Sequence, residues 1–288
     1  MLRYCPLIVF ILPLFCYSQI DSKKQFNFVG ELLLNDDLVD FNKDGILDYF
    51  IQDFGGTFYY KAYGDGRFGD IVLLDGVFER YLYEIKDVDN DEDLDIIGFE
   101  MATNTIVINF NQGFHIFSSK RYEIENSSLL SYFTSVDIDG DGFNEIIATY
   151  YNENNVYLFK IVGEKLVKST LATLNKPNRI SSMKDKNGPQ IIIQYDGTKF
   201  QSFSTDASDN IIIKENGSVK SELFIYQMLD INKDSIADLL TTTNYQAFLR
   251  LGNTDGVLLA EKNIGEVSLS TSYDIFDVDN DSDLDLVF

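Results

Sequence analysis

Several residue types are scarce or missing in this sequence. Tryptophan is absent, histidine occurs only as His115, and both cysteines, Cys5 and Cys16, precede residue 19. A single histidine excludes multi-histidine metal sites and argues against Ser–His catalysis, so we interpret His115 as structural. Basic residues are also few, 23 against 46 acidic residues, which gives a net charge of −23. This balance argues against binding to nucleic acid or to anionic membrane surfaces.

The first eighteen residues predict a secretory signal peptide. Residues 1–18 contain one basic residue, Arg3, and the apolar run Leu7–Phe15, and small residues precede a cleavage position after residue 18. The run is shorter than the roughly 20 residues of a membrane anchor. Lipid attachment at Cys16 is disfavoured by the bulky residue before it. We therefore expect a mature chain of residues 19–288 that is secreted or attached to the cell surface and has no membrane span.

Removal of this segment would remove both cysteines, so disulfide bonds cannot stabilise the mature chain. Hydrophobic residues make up 45% of the sequence, which is enough for a core. The acidic residues lie at regular intervals between segments rich in Phe and Tyr, a pattern that disordered acidic chains do not have. We expect a folded protein whose stability depends on its core, on a ligand or on a metal.

Acidic segments of nine residues recur along the chain. They are DFNKDGILD (Asp40–Asp48), DVDNDEDLD (Asp87–Asp95), DIDGDGFNE (Asp137–Glu145), DINKDSIAD (Asp230–Asp238) and DVDNDSDLD (Asp277–Asp285). Their starts are 47, 50, 93 and 47 residues apart. Because 93 is close to two periods, we interpret MKDKNGPQIII (Met183–Ile193) as a further repeat, the fourth of six, whose acidic loop has degenerated.

The segments that flank these loops predict an all-β fold. Short runs of Val, Ile, Tyr, Phe and Thr alternate with turns that contain Gly, Asn or Asp, and no segment has a sustained helical period. Four short strands in each period of 40 to 50 residues are typical of a β-propeller blade. Six repeats are visible, a seven-bladed ring is possible, and the C-terminal blade is incomplete.

Oxygen-bearing groups recur at positions 1, 3, 5, 7 and 9 of each loop, where position 7 would contribute its backbone carbonyl. The predicted ligands are Asp40, Asn42, Asp44, Ile46 and Asp48; Asp87, Asp89, Asp91, Asp93 and Asp95; Asp137, Asp139, Asp141, Phe143 and Glu145; Asp230, Asn232, Asp234, Ile236 and Asp238; and Asp277, Asp279, Asp281, Asp283 and Asp285. Such oxygen sets are typical of calcium, whereas magnesium keeps more water and transition metals favour His or Cys. We predict about five Ca²⁺ sites.

Two features of the loops refine this prediction. An EF-hand needs Glu at position 12 and flanking helices, and neither is present. Position 6 is Gly in the first and third loops, where we expect a left-handed backbone. It is Glu92, Ser235 and Ser282 in the other three, at a cost of about 1 kcal/mol each.

The loop pattern D-x-[DN]-x-D-x-x-x-[DE], with following turns such as Tyr63–Gly69, resembles the FG-GAP and VCBS repeats of bacterial secreted proteins and of the integrin α-subunit propeller. The resemblance covers nearly all of residues 19–288. It implies a propeller, usually of seven blades, with calcium in the loop between the first two strands of a blade. The chain departs from the family at three position-6 residues, in the fourth repeat and in the incomplete last blade.

Two functions remain open at this stage. The first is a recognition or adhesion module with structural calcium that binds a protein or polysaccharide. The second is a secreted polysaccharide lyase or hydrolase, in which acids outside the loops, such as Glu100 and Glu222, would supply a catalytic pair. Fold class alone does not choose between them.

Overall fold

The computed structural model describes residues 35–46, 48–53, 56–64, 67–73, 82–113, 116–124, 128–206, 210–219, 226–243, 245–266, 274–276 and 285–287. The predicted signal peptide lies outside them. Apart from one short 3₁₀ turn, Tyr151–Glu153, the elements of these residues are strands. None of the described residues belongs to a helix long and apolar enough to cross a membrane.

Within the described ranges, five four-stranded sheets follow one another along the chain. The first sheet contains β1 (Asn35–Val39), β2 (Asp48–Asp53), β3 (Gly56–Ala62) and β4 (Phe68–Leu73). The second contains β5 (Leu82–Lys86), β6 (Asp95–Glu100), β7 (Thr105–Asn111) and β8 (Phe117–Glu123). The third contains β9 (Tyr132–Val136), β10 (Glu145–Tyr150), β11 (Asn155–Val162) and β12 (Lys165–Thr173).

The remaining strands repeat this arrangement. The fourth sheet contains β13 (Ile180–Asp185), β14 (Gly188–Tyr195), β15 (Lys199–Thr205) and β16 (Ile211–Ser218). The fifth contains β17 (Tyr226–Leu229), β18 (Asp238–Thr242), β19 (Gln246–Arg250) and β20 (Lys262–Glu266). The pair β21 (Asp274–Phe276) and β22 (Asp285–Val287) belongs to the sixth repeat.

Each sheet is an antiparallel meander in which strands pair in chain order. The middle strands of the second sheet are largely buried on both faces: β7, with sequence TIVINFN, is buried throughout. The fourth strand of the same sheet, FSSKRYE, is largely exposed and carries Lys120 and Arg121. Charged side chains on such an outer edge prevent further strand pairing. This gradient from apolar to polar strands is what a propeller blade requires, and we call each four-stranded sheet a blade.

The chain forms two compact units, one with the first two blades and the β21–β22 pair, the other with the third to fifth blades. In the first unit the core contains Phe41, Phe50, Tyr59 and Ile96. The ring of Phe41 stacks on Phe50 and on Tyr59, with centroids 5.8 and 5.7 Å apart. Because these residues come from both blades, the core of this unit lies between the faces of adjacent sheets.

The second unit has the same construction. One core cluster joins the third blade to the fourth, for example through Ile147 and Ile191, and another joins the fourth to the fifth through Phe200 and Leu239. The first strands of consecutive blades are also hydrogen-bonded: Thr134 Oγ1 lies 2.8 Å from Ser182 Oγ, and Met228 N donates to Ser181 Oγ at 2.9 Å. First strands that adjoin one another are the innermost strands of a propeller.

The prediction of an all-β propeller with four-stranded blades is therefore confirmed. The fourth repeat forms a complete blade although its acidic loop is lost. Only one strand pair of the sixth repeat is within the described residues. The seven-bladed ring and the incomplete C-terminal blade stay predictions.

Candidate metal loops

The acidic loops occupy the same place in four blades. Residues 40–47, 87–94, 137–144 and 230–237 connect the first strand of a blade to the second. Position 9 of each loop is the first residue of the second strand and pairs with the last residue of the first strand, as Glu145 does with Val136. The predicted location between the first two strands is confirmed for these four loops.

The backbone of each loop turns twice through the left-handed region. At position 4 the φ angles are 58° for Lys43, 58° for Asn90, 72° for Gly140 and 58° for Lys233. At position 6 they are 81° for Gly45, 71° for Glu92, 90° for Gly142 and 63° for Ser235. The expected left-handed position 6 is confirmed, including the two loops without Gly. The second left-handed residue, at position 4, was not predicted.

These turns direct the side chains at positions 1, 3 and 5 back over the loop. In the first loop Asp40 accepts hydrogen bonds from the backbone N–H groups of Asp44 and Gly45, at 3.1 and 2.8 Å. In the fifth repeat Asp230 accepts the equivalent bonds from Asp234 and Ser235, at 2.9 and 2.8 Å. The position-5 carboxylates accept the N–H two residues later, as Asp141 does from Phe143 at 2.9 Å. Alternate side chains therefore point to the same side of the loop.

The position-9 residue is the most buried acid of each described loop. Asp48, Asp95 and Asp238 have no exposed surface, and Glu145 is 3% exposed. In the fifth repeat Asp238 accepts the backbone N–H of Gly252 at 2.8 Å and that of Ile231 at 3.1 Å. Asp48 and Asp95 accept the corresponding third-strand N–H groups, of Ala62 and Asn111. In these three loops position 9 therefore anchors the loop to the third strand or to the residues just after it, a role that sequence reasoning missed.

Burial has an electrostatic consequence at this position. The pKa of Glu145 is raised to about 7, mainly by burial: the Ile138 N–H lowers it, and the neighbouring Asp141 and Asp137 raise it. Burial also raises the pKa of Asp48 and of Asp238. A nearby positive charge would reverse this effect by favouring the carboxylate.

Carboxylates converge in two of the loops. Oxygen atoms of Asp87, Asp89 and Asp95 lie within 4.8 Å of one another, and so do those of Asp137, Asp139 and Glu145. Two ligand oxygens on opposite sides of a calcium ion are at most about 5 Å apart, because each Ca–O distance is about 2.3 to 2.6 Å. Each carboxylate pair at this separation repels by roughly 3 kcal/mol at an effective dielectric constant of about 20. The donor set and its spacing therefore fit calcium.

The first and fifth-repeat loops differ because position 3 is an amide. Asn42 donates from Nδ2 to Asp48 Oδ2 at 2.9 Å, and its carbonyl oxygen accepts the N–H of Asp44 at 3.0 Å. Asn232 donates to Asp234 Oδ2 at 3.1 Å. Among the described residues, these loops form no three-carboxylate cluster like the other two. An amide N–H here contacts a carboxylate that a metal ion would otherwise neutralise.

Lysines from outside the loops also approach the carboxylates. Lys160 on β11 contacts Asp139, Asp141 and Glu145. Lys184 Nζ on β13 lies 2.9 Å from Asp137 Oδ2, and Lys61 Nζ on β3 lies 3.2 Å from Asp44 Oδ2. The sequence motif does not include these positions. Alignment of the third strands of the repeats would have identified Lys61 and Lys160, since both lie across the sheet from position 9.

The other predicted ligands have three outcomes. The side chain of Asp93, a residue predicted to contribute only its carbonyl, forms an ion pair with Lys43 at 2.9 Å. The carbonyl ligands at position 7, of Ile46, Asp93, Phe143 and Ile236, stay predictions. The last loop has five predicted ligands, Asp277, Asp279, Asp281, Asp283 and Asp285. The first four lie outside the described residues, and for Asp285 the strand is described but the side chain is not.

The residues considered for catalysis do not form a pair in the described part of the chain. Glu100 accepts a hydrogen bond from Thr103 Oγ1 at 2.5 Å and forms an ion pair with Arg121. Glu222 and His115 lie outside the described residues. Glu100 is therefore engaged in an ion pair within the second blade.

No protein-family model matches the chain, and no curated protein matches it in sequence. Solved structures do match. An Agrocybe aegerita lectin that recognises non-reducing terminal N-acetylglucosamine has a TM-score of 0.59 and 16% identity over 82% of this chain and 67% of the lectin. The periplasmic gluconolactonase of Pseudomonas aeruginosa has a TM-score of 0.52 and 14% identity, over 86% and 71% of the two chains.

A third similar structure is the Tc holotoxin pore of Photorhabdus luminescens. Its TM-score is 0.51 at 12% identity, and the match covers 87% of this chain but only 13% of the toxin chain. A lectin, an enzyme and a toxin thus share the fold at low identity. These similarities support the propeller fold and leave the choice of function to the chain's own residues.

Proposed function

We propose that this chain is a secreted or cell-surface recognition module of the β-propeller class, whose repeat loops bind structural calcium and whose surface binds a carbohydrate or a protein. The observation that carries the calcium proposal is the convergence of Asp137, Asp139 and Glu145, whose oxygens lie within 4.8 Å of one another. The resemblance to FG-GAP and VCBS repeats belongs to this proposal, as do the signal peptide and the extracellular location.

The residues of the third loop would coordinate the ion through different groups. Asp137, Asp139 and Glu145 would contribute carboxylate oxygens, and Asp141 and the Phe143 carbonyl would complete the set. Bound calcium would supply positive charge that offsets the repulsion between these carboxylates. Glu145 begins β10 and accepts the N–H of Ile138 at 2.8 Å, so it ties the loop to the second strand of the blade. A braced loop would substitute for the disulfide bonds that the mature chain lacks.

A carbohydrate is one ligand class for the recognition surface. The fungal lectin of similar fold recognises N-acetylglucosamine, which makes glycans a reasonable first class to test. Protein ligands are the other class, because acidic propellers offer broad polar surfaces. The net charge of −23 favours partners with basic or neutral surfaces over nucleic acid.

Thermal unfolding of residues 19–288 with calcium or with chelator tests the calcium proposal. At free calcium about a hundredfold above Kd, each occupied site should add about 2.7 kcal/mol of stability, which raises the melting temperature. Magnesium at the same concentration should add much less. An identical melting temperature in calcium and in chelator would contradict the proposal.

A matched pair of variants locates the effect. Asp139→Asn should lower the number of bound calcium ions by one in equilibrium dialysis, whereas Asp255→Asn, an acid outside the nine-residue loops, should leave that number unchanged. Glycan-array and surface-protein binding screens of the calcium-loaded protein test the recognition proposal separately. Absence of binding in both screens would contradict it without affecting the calcium result.

A further inference from the structure

Lys160 lies directly across the sheet from the third acidic loop. β10 pairs with β11 in a register that places Ile146 opposite Phe159, so the next position places Lys160 opposite Glu145. Its ammonium contacts Asp139 Oδ2, lies 3.4 Å from Asp141 Oδ2 and lies 3.7 Å from Glu145 Oε1. These three carboxylates hold positions 3, 5 and 9 of the loop. One lysine on another strand therefore reaches three predicted calcium ligands.

The equivalent position differs in the other blades. The same register places Lys61 opposite Asp48 in the first blade, Phe110 opposite Asp95 in the second and Leu251 opposite Asp238 in the fifth. Lys61 contacts one loop carboxylate, Asp44, at 3.2 Å. The second and third loops both form three-carboxylate clusters, yet an aromatic ring lies across from one and an ammonium across from the other. The cross-strand residue is thus a variable part of an otherwise repeated site.

We infer that the Lys160 ammonium occupies the cation position of the third loop when calcium is absent and competes with calcium for it. This inference rests on the proposed calcium function and adds a control on one site. An ammonium and a calcium ion both require the carboxylate oxygens of Asp139, Asp141 and Glu145. Two cations in contact with the same oxygens repel each other, so the side chain of Lys160 must withdraw when the ion binds.

Competition raises the stability of the calcium-free loop and lowers its affinity for calcium. Without calcium, Lys160 stabilises the loop because it offsets the charge of three carboxylates. With calcium, the same contacts must be broken, so the third loop binds more weakly than it would with an uncharged residue at this position. Among the described loop carboxylates Lys184 contacts Asp137, so it would compete for one ligand rather than for three.

Lys160→Phe, which introduces the residue of the second blade, tests the inference in the full chain. The variant should bind calcium at the third loop on the order of tenfold more tightly, because the competing charge is gone. It should melt at a lower temperature than the wild-type protein in chelator and show a larger rise on calcium addition. Lys160→Arg should retain the wild-type affinity, and Lys165→Met, which removes the same charge from the next strand, should change neither measurement.

A second measurement on the unaltered protein does not depend on folding of the variants. Lysine acetylation followed by mass spectrometry should show Lys160 several-fold more reactive with calcium than with chelator, while Lys165 reacts equally in both. If Lys160 reacts equally and Lys160→Phe binds calcium as the wild type does, while Asp139→Asn still removes one ion, the inference is wrong and the calcium proposal stands. If the protein binds no calcium in dialysis, both are wrong.

Discussion

The third and fourth blades differ in the connection between their first and second strands. In the third blade residues 137–144 join β9 to β10, and Val136 pairs with Glu145. In the fourth blade only Lys186 and Asn187 join β13 to β14, because Asp185 pairs directly with Gly188. Gly188 has a φ angle of 106°, which suits this tight turn. Both connections lead into a complete antiparallel sheet of four strands.

The difference shows that a blade of this protein forms without an acidic loop. The hairpin brings its two strands together with local backbone hydrogen bonds, whereas the loop gathers carboxylates that repel one another. Sheet formation therefore does not explain why the loop recurs five times in the sequence. The proposed cation binding would explain it, because a bound cation would convert an electrostatic cost into a contact between strands.

The hairpin also contacts the loops on either side. Lys184 lies 2.9 Å from Asp137 of the third blade, and Lys186 Nζ donates to the carbonyl of Asp234 in the fifth blade at 2.9 Å. Ala237 N donates to Asp185 Oδ2 at 3.1 Å. The degenerate repeat thus supplies fixed positive charge where its neighbours carry acids.

The largest expected effect comes from the core, which both kinds of blade share. Phe200 of the fourth blade and Ile147 of the third have no exposed surface. Phe200→Ala should cost about 3 to 5 kcal/mol and Ile147→Ala about 2 to 5 kcal/mol in denaturant unfolding, through lost burial and cavity formation. Each cost should be equal in calcium and in chelator, because both side chains belong to hydrophobic core clusters. A cost for Phe200→Ala below about 1 kcal/mol would mean that the hairpin blade is not packed like its neighbours.

A smaller effect separates two acids of the fifth-repeat loop. Asp238→Ala leaves the buried N–H groups of Gly252 and Ile231 without acceptors, so it should cost about 2 to 4 kcal/mol even in chelator. Asp234→Ala loses two hydrogen bonds within the loop, from Ile236 N and from Asn232 Nδ2, and should cost about 1 kcal/mol or less in chelator because it also removes one of the mutually repelling carboxylates. Its cost should grow in calcium, as measured by denaturant unfolding in both conditions. Equal costs for the two variants in chelator would remove the distinction between an anchor and a metal ligand.

The fold was largely predictable because its signals are local and repeated. Strand runs such as TIVINFN and turns such as Gly163-Glu164 specify β-hairpins by composition alone, and the 47-residue spacing identifies the repeat. The fourth blade was identified by phase, from the Ile run at residues 191–193. Its connection between the first two strands is six residues shorter than the acidic loop of the third blade. The spacing of the repeats alone could not predict this, because the segments after the turn are longer than in the third blade.

The site was only partly predictable for a physical reason. The alternation of acids predicted which side chains lie on the same side of the loop. This was possible because each of them is hydrogen-bonded to backbone within the loop itself. Contacts made across the sheet were missed: the anchoring of Asp238 by Gly252, and the approach of Lys160 to Glu145. These depend on strand register, which the nine-residue motif does not contain.

The smallest expected effect concerns the backbone of the loop itself, the part that the hairpin lacks. Ser235 at position 6 has a φ angle of 63°, in the left-handed region that disfavours residues with a Cβ. Ser235→Gly keeps the N–H bond to Asp230 Oδ2 and the carbonyl bond from Lys186 N, because both use backbone atoms. Relief of the strain is partly offset by the greater entropy of Gly in the unfolded chain, so we expect a gain of about 0.5 kcal/mol.

Ser235→Ala is the matched control for this variant, because it removes the hydroxyl but keeps the Cβ and should leave stability unchanged. Denaturant unfolding in chelator measures the backbone effect alone, and the same experiment in calcium shows whether a relaxed turn also improves ion binding. If Ser235→Gly were destabilising while Ser235→Ala was neutral, the left-handed turn would not be a source of strain. The three loops without Gly at position 6 would then be as well formed as the two that have it.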